Sequence, residues 1–181
     1  MKVTIFISSP NKDGLTAACG NAAKQGAIKY GAKVQLINLN ESNIGKCNAC
    51  DNGWGTCRIE HFCQVQDGFQ ELHKDIADSD YFVIATPVYW GEMSESAKAF
   101  FDRLRRCEAL RKEEGLLFGK PVIAIAAAGG GGNGTLSCLE SIDRLLKHCS
   151  ANIFDLIPVT RKSRAYKLDT ISASVKEMLS K

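Results

Sequence analysis

Apolar positions along the chain recur with two periods, and the alternation between them predicts the elements. Val3–Ile7, Lys33–Leu39, Tyr81–Ala85, Pro121–Ala127 and Asn152–Val159 are β-branched, aromatic or strictly apolar runs of strand length, with 121–127 the most apolar. Between them lie stretches with helical spacing. Leu15 to about Tyr30 ends at Gly31, a C-cap residue, and Asp67–Asp78 carries Phe69, Leu72, Ile76 and Ala77 on one face. Ser94 to about Arg106 places Ala97, Phe100, Phe101 and Leu104 together, and Thr135–Cys149 and Asp169–Leu179 complete the set. Strands alternating with helices predict an α/β chain with a parallel sheet covered on both faces, because right-handed crossovers put the helices there.

Ligands of such sheets gather beyond the carboxyl ends of the strands, where strand order reverses, so the loops after the first, third and fourth strands are the ones to read. The connection from about Asn40 to Gln66 is too long for an ordinary link and reads as an inserted functional segment within a single domain spanning 1–181.

Composition narrows the chemistry. With 181 residues, 45% of them hydrophobic and a net charge of +3, the chain suits one buried core, and no run of like charge suggests nucleic-acid binding. No run of about 18 apolar residues is present to cross a bilayer. Met1–Ser8 lacks the pattern of a signal peptide, so a cytoplasmic location is expected and the eight cysteines read as reduced thiols or metal ligands. Cys19, Cys107, Cys138 and Cys149 read as small core residues.

The three loops each carry a distinct signal. Ser8–Thr16 sets hydroxyls, an amide and Gly14 at a helix start, where the macrodipole favours an anion; the alternative is plain N-capping by Asp13 or a serine. The spacing matches neither GxxxxGK[ST] nor GxGxxG. Thr86–Ser94 brings Pro87, Tyr89, Trp90 and Gly91 to the sheet rim, suited to a planar ring or to a surface aromatic pair. Gly129–Gly134 would be entropically costly as a mere connector and reads as close backbone approach to something flat.

Taken together, these loops resemble the NADPH-dependent FMN reductase and iron-sulfur flavoprotein branch of the flavodoxin-like superfamily. The resemblance rests on Ser9-Pro10 with Gly14 and Thr16, on Pro87-Val88-Tyr89-Trp90-Gly91-Glu92-Met93-Ser94 followed by Lys98, Phe101, Asp102 and Arg103, and on Gly129–Gly134. It implies a doubly wound five-stranded sheet of order 2-1-3-4-5. Ser9, Asn11, Gly14, Leu15 and Thr16 would then cradle the FMN phosphate, Pro87, Val88, Tyr89, Trp90 and Gly91 would hold the ribityl chain and ring, and Gly129, Gly130, Gly131 and Gly134 would border the isoalloxazine.

The implied activity is an FMN-dependent oxidoreductase that passes electrons from NAD(P)H through the flavin to a small acceptor such as a quinone. The alternative is an electron-transfer carrier serving a protein partner. Flavin carries the chemistry, and Tyr89 is the candidate for ring placement or proton supply. A homodimer or homotetramer is the family habit; neither nucleic acid nor membrane is expected as a partner. The family often has arginine after the proline, where this chain has Asn11, which removes a side-chain contact to the phosphate.

Cys47, Cys50, Cys57 and Cys63 could ligate a [4Fe-4S] cluster or zinc, or bind nothing. Iron-sulfur flavoproteins carry CxxCxxC with a fourth cysteine shortly after, whereas Gly53 stands here at the third position. Trp54 and Phe62 suggest instead a packed flap over the flavin. His61 has no assigned role, Asp67 reads as an N-cap, and Arg103, Arg105, Arg106, Arg111 and Lys112 read as a solvated helix face rather than a site for the NADPH phosphate.

Overall fold

Burial alternates along the strands as a two-sided sheet requires. In β1 (Lys2–Ile7), Val3, Ile5 and Ile7 join one apolar layer while Phe6 joins the other. The computed structural model describes residues 1–181, and within it β1, β2 (Lys33–Asn38), β3 (Tyr81–Tyr89), β5 (Pro121–Ala128) and β6 (Asn152–Thr160) form a parallel sheet in the order β2-β1-β3-β5-β6. This is the predicted doubly wound arrangement; a short β4 (Glu92–Met93) takes the fourth place in chain order.

Helices α1 (Leu15–Lys29) and α5 (Arg164–Leu179) cover one face, with Ala23, Ala27, Ile171 and Val175 against Val3, Ile5, Val83 and Ile123. On the other face lie α2 (Phe69–Ala77), α3 (Glu95–Glu108) and α4 (Thr135–His148), over Phe6, Phe82, Ile84 and Ala124. Phe6, Phe69, Phe82, Phe100 and Phe101 pack there as an aromatic cluster with centroids 5.1–6.4 Å apart. Cys19, Cys107, Cys138 and Cys149 are buried, as expected, and burial pushes each thiol up to about 12. No helix is long and apolar enough to cross a membrane.

Three expectations need correction. The third strand does not stop at Ala85: it runs to Tyr89, and β4 pairs back on Val88–Tyr89 as a hairpin around Trp90 and Gly91. The last helix begins at Arg164, five residues before the predicted start, because its first turn is exposed and gives no apolar period to read. The basic stretch is not a uniformly solvated face, since Arg103 is 1% exposed.

Arg103 is the staple of the inserted segment. Its guanidinium donates to Asp67 Oδ2 at 2.6 Å and to the carbonyls of Gly45 (3.1 Å) and Val65 (3.0 Å), and it stacks over the Phe69 ring at 4.4 Å. Asp67 is not the N-cap of α2 as expected, a position that Gly68 takes, but its other oxygen accepts from Phe69 N at 3.0 Å while the first holds Arg103. Burial pushes Asp67 up, but hydrogen bonds from Arg103, Gly45 and Phe69, with the charge of Arg103, outweigh it and hold the carboxyl below its usual range.

A carboxylate depressed in this way stabilises the fold fully above pH ~4, and its contribution fades as pH falls through the folded value. Arg103→Met should lower the unfolding free energy by about 3 kcal/mol, because a buried carboxylate loses its partner. Asp67→Asn should flatten the acid limb of the stability curve. Urea unfolding between pH 3 and 7 checks both; an unshifted midpoint for Arg103→Met contradicts the staple.

Candidate functional site

β1 ends at Ile7 beside Ala85 of β3, which runs on to Tyr89, and one serine ties the two strands together at this level. Ser94, the N-cap of α3, donates its hydroxyl to the Ser8 carbonyl at 2.9 Å, and its N–H donates to Thr86 Oγ1 at 3.1 Å. Ser8, Thr86 and Ser94 are all buried, so the end of β1, the Thr86 level of β3 and the start of α3 meet in a fixed geometry. Beyond this junction the chain leaves in two directions, into α1 from β1 and into α3 from β3.

The gap so formed is an open cleft of ≈ 360 Å³. Ser9, Asn11, Gly14, Leu15 and Thr16 line it from the loop after β1, Pro87, Val88 and Tyr89 from the end of β3, and Ala127, Gly129 and Gly130 from the end of β5 and the loop after it. The structure therefore brings ten of the sequence-singled residues to one place. Four stand outside the lining: Trp90 projects fully exposed from the hairpin tip, Gly91 packs towards Ser137, Gly131 lies by Asn133, and Gly134 packs on Gly91.

Local geometry explains the character of each wall. In the first loop, Ser9 Oγ accepts from Asn11 N (3.2 Å) and Asn11 Oδ1 accepts from Asp13 N (3.2 Å), which fixes the turn. Capping by Asp13 or a serine is not realised: the N-cap position is Gly14, with no side-chain hydrogen bond and no acid in the first turn. The first amides of α1 thus keep their N–H groups for an outside acceptor, at the positive end of a 15-residue helix.

The hairpin wall is held by a backbone contact that only glycine permits. Gly134 has φ +79°, and a Cβ there would lie 2.8 Å from Gly91 Cα and 3.2 Å from Val88 Cγ1. Gly129 and Gly130, by contrast, have open space where a Cβ would go, so the wall facing the cleft is bare backbone. Tyr89 stands at its edge, 40% exposed.

Arg161 also lines the cleft, from the turn after β6, and the loop readings did not include it. The signal was present as Arg161, Lys162, Arg164 and Lys167, a run without an acid that follows a strand directly.

The inserted segment lies elsewhere. None of residues 40–66 lines the cleft, so it is not the flap expected over a ring; Arg103 and the Arg106–Trp54 stack (4.2 Å) hold it against α3 instead. His61 is likewise anchored, with Nδ1 3.0 Å from the Cys107 carbonyl. Cys47, Cys50, Cys57 and Cys63 line one cavity with Arg103 and Arg106, with ≈ 20 Å³ of space, room for roughly one water. No three of their thiols, alone or with neighbouring carboxylates or imidazoles, are arranged to hold a metal ion. Gly53, at the position of the family's third cysteine, has φ +137°, a backbone that would strain a cysteine.

Known proteins resemble the chain in sequence and in fold. A family model described as NADPH-dependent FMN reductase matches residues 1–158. An iron-sulfur flavoprotein of Methanosarcina thermophila is 28% identical over 142 residues, covering 78% of this chain and 71% of the relative. One from Methanocaldococcus jannaschii is 29% identical over 159 residues, covering 88% and 75%. An iron-sulfur flavoprotein of Archaeoglobus fulgidus is 29% identical over 104 residues, 58% of this chain and 46% of the relative, so the match spans about half the length of some relatives.

Among solved structures, an NAD(P)H:quinone oxidoreductase from Methanothermobacter marburgensis superposes with a TM-score of 0.70 at 17% identity, covering 99% of this chain and 97% of that one. A flavodoxin from the domain Archaea gives 0.67 at 13%, with 99% and 97% covered. At such identities the likeness is one of fold.

The two kinds of glycine in the cleft wall should separate by substitution. Gly134→Ala forces a Cβ into the hairpin and should cost about 1–3 kcal/mol, whereas Gly129→Ala should stay within about 0.5 kcal/mol. Urea denaturation measures both, and equal midpoints would refute the close-approach argument.

Proposed function

The chain belongs to the NADPH-dependent FMN reductase family, and from that premise we propose that it is an FMN-dependent oxidoreductase that takes electrons from NAD(P)H and delivers them to a small acceptor such as a quinone or free flavin. The observation that carries this reading is the cleft itself: one end has uncapped helix amides and hydroxyls, and its walls are proline, tyrosine and bare glycine backbone.

FMN fits these residues. Gly14, Leu15 and Thr16, at the N-terminus of α1, can donate N–H groups to a phosphate, with Ser9 and Asn11 beside them. Pro87, Val88 and Tyr89 line the same cleft as Gly129 and Gly130, and the absence of side chains on these glycines would let backbone come close to a flat ring. When bound, FMN would supply the redox chemistry, hydride acceptance from a nicotinamide and onward electron transfer. The protein's part is to orient the ring, to keep one side open for donor and acceptor, and to present backbone dipoles to its polar edge. Tyr89 is placed at the rim for ring contact rather than as a buried acid or base.

The cysteine cavity enters no step, since its thiols as arranged do not fit a metal centre. Trp90 and Leu136, 104% and 73% exposed, precede in the chain two residues that meet, Gly91 and Ser137, and would be covered in a homodimer or homotetramer.

Titration with FMN should quench its fluorescence, and anaerobic addition of NADPH or NADH to the loaded protein should bleach the yellow absorbance. Bound flavin that neither donor bleaches would favour the carrier serving a protein partner, and FMN fluorescence unchanged by the protein would remove the flavin reading.

A further inference from the structure

The anion end of the cleft has donors but no cation of its own. Lys12 is the one basic residue of the loop after β1, and it is turned outward to Glu41 at 2.7 Å; Asp13 adds a negative charge nearby. A phosphate held there by amides and hydroxyls alone would keep most of its charge uncompensated.

Arg161 reaches the same cleft from across the sheet. No carboxylate lies within ion-pair distance of it, whereas Lys12, Lys98, Arg144, Lys147 and Lys181 are all paired on the surface. Its base is fixed. Thr160 N donates to Ser163 Oγ at 2.9 Å and Ser163 N to Thr160 Oγ1 at 3.3 Å, a reciprocal lock on the turn that carries Arg161.

Two further contacts place that turn. Gly132 packs so tightly on Thr160 that a Cβ on the glycine would sit 3.0 Å from Thr160 Cγ2, which binds the turn to the glycine wall. Helix α5, which starts three residues after Arg161, packs along α1, and the charge of Arg164 is felt at Cys19, one turn into α1. The start of α5 therefore adjoins the start of α1, where the free amides are.

We infer that Arg161 is the counter-ion of the cofactor's phosphate, supplying from the turn after β6 the cation that the loop after β1 lacks, and that it selects phosphorylated flavin over riboflavin. This rests on the flavin reading above. The planar guanidinium can meet two phosphate oxygens at once, and a bound cofactor would cover the pair and strengthen it by excluding water.

The test is fluorescence titration of the wild-type chain, Arg161→Ala and Arg161→Lys with FMN and, separately, with riboflavin, at low and high salt. Arg161 is exposed and unpaired, so the variants should unfold at the wild-type urea midpoint. Arg161→Ala should weaken FMN about tenfold or more, leave riboflavin within about twofold and flatten the salt dependence, with Arg161→Lys in between. FMN affinity unchanged in Arg161→Ala overturns the assignment alone. An equal loss for both ligands also overturns it, by moving the side chain's role to the ring. A wild-type chain that binds neither flavin overturns the flavin reading and the assignment with it.

Discussion

Two adjacent parallel strands whose connections go to opposite faces of the sheet leave a space that neither connection crosses. Everything at the site follows from that constraint at β1 and β3. The strands cannot drift apart where β1 ends, because the Ser94 hydroxyl and N–H bind the Ser8 carbonyl and the Thr86 hydroxyl in a buried junction. The loops that rise from this junction must therefore face each other, and β5 brings the glycine loop in as the third wall. A cleft at this place is a property of the topology; what it can bind is set by the residues that rim it.

The inserted segment follows a different logic. It leaves β2 at the edge of the sheet, and its strongest attachment is Arg103, which projects from α3 and closes on Asp67, Gly45 and Val65. Those contacts pair the two terminal nitrogens of a buried guanidinium that would otherwise be costly, and they draw the segment onto the α2–α3 face, away from the cleft. The same packing sets the cysteines around one small cavity beside Arg103 and Arg106 while Gly53 keeps a positive-φ backbone that a cysteine would strain. Arg103 thus serves architecture rather than recognition of a nicotinamide phosphate.

How much could be read from sequence depended on whether the signal was local. Strands and most helices were legible because their apolar periods are intact, and the three loops were legible because glycine, proline and hydroxyl residues have few other reasons to cluster at strand ends. The hairpin at Trp90–Gly91 was not: both residues have positive φ (53° and 80°), as a tight hairpin turn requires, but tryptophan is not a residue that announces one. The first turns of α5 were missed because Arg164, Ala165 and Tyr166 are exposed, and a helix turn with no buried face has no period. Arg103 read as surface because its partner lies 36 residues earlier in the chain, and only the fold brings them together.

Arg161 belongs to the same class of residue, yet it bears on recognition. Read along the chain, Asn11 after Pro10 brings no charge to the anion end, which on its own suggests a weak anion site. In the fold, the N-terminus of α1 has neighbours from α5 as well as from its own loop, and the charge can arrive from either. Charge at a site is set by what lies within several ångströms, so a cation lost from one loop and present on another leaves the electrostatic sum intact while the motif disappears. What such a relocation does change is geometry. A turn locked on itself through Thr160 and Ser163 and packed on Gly132 fixes where the backbone of Arg161 sits relative to the glycine loop, so the reach of its side chain into the cleft starts from a set point.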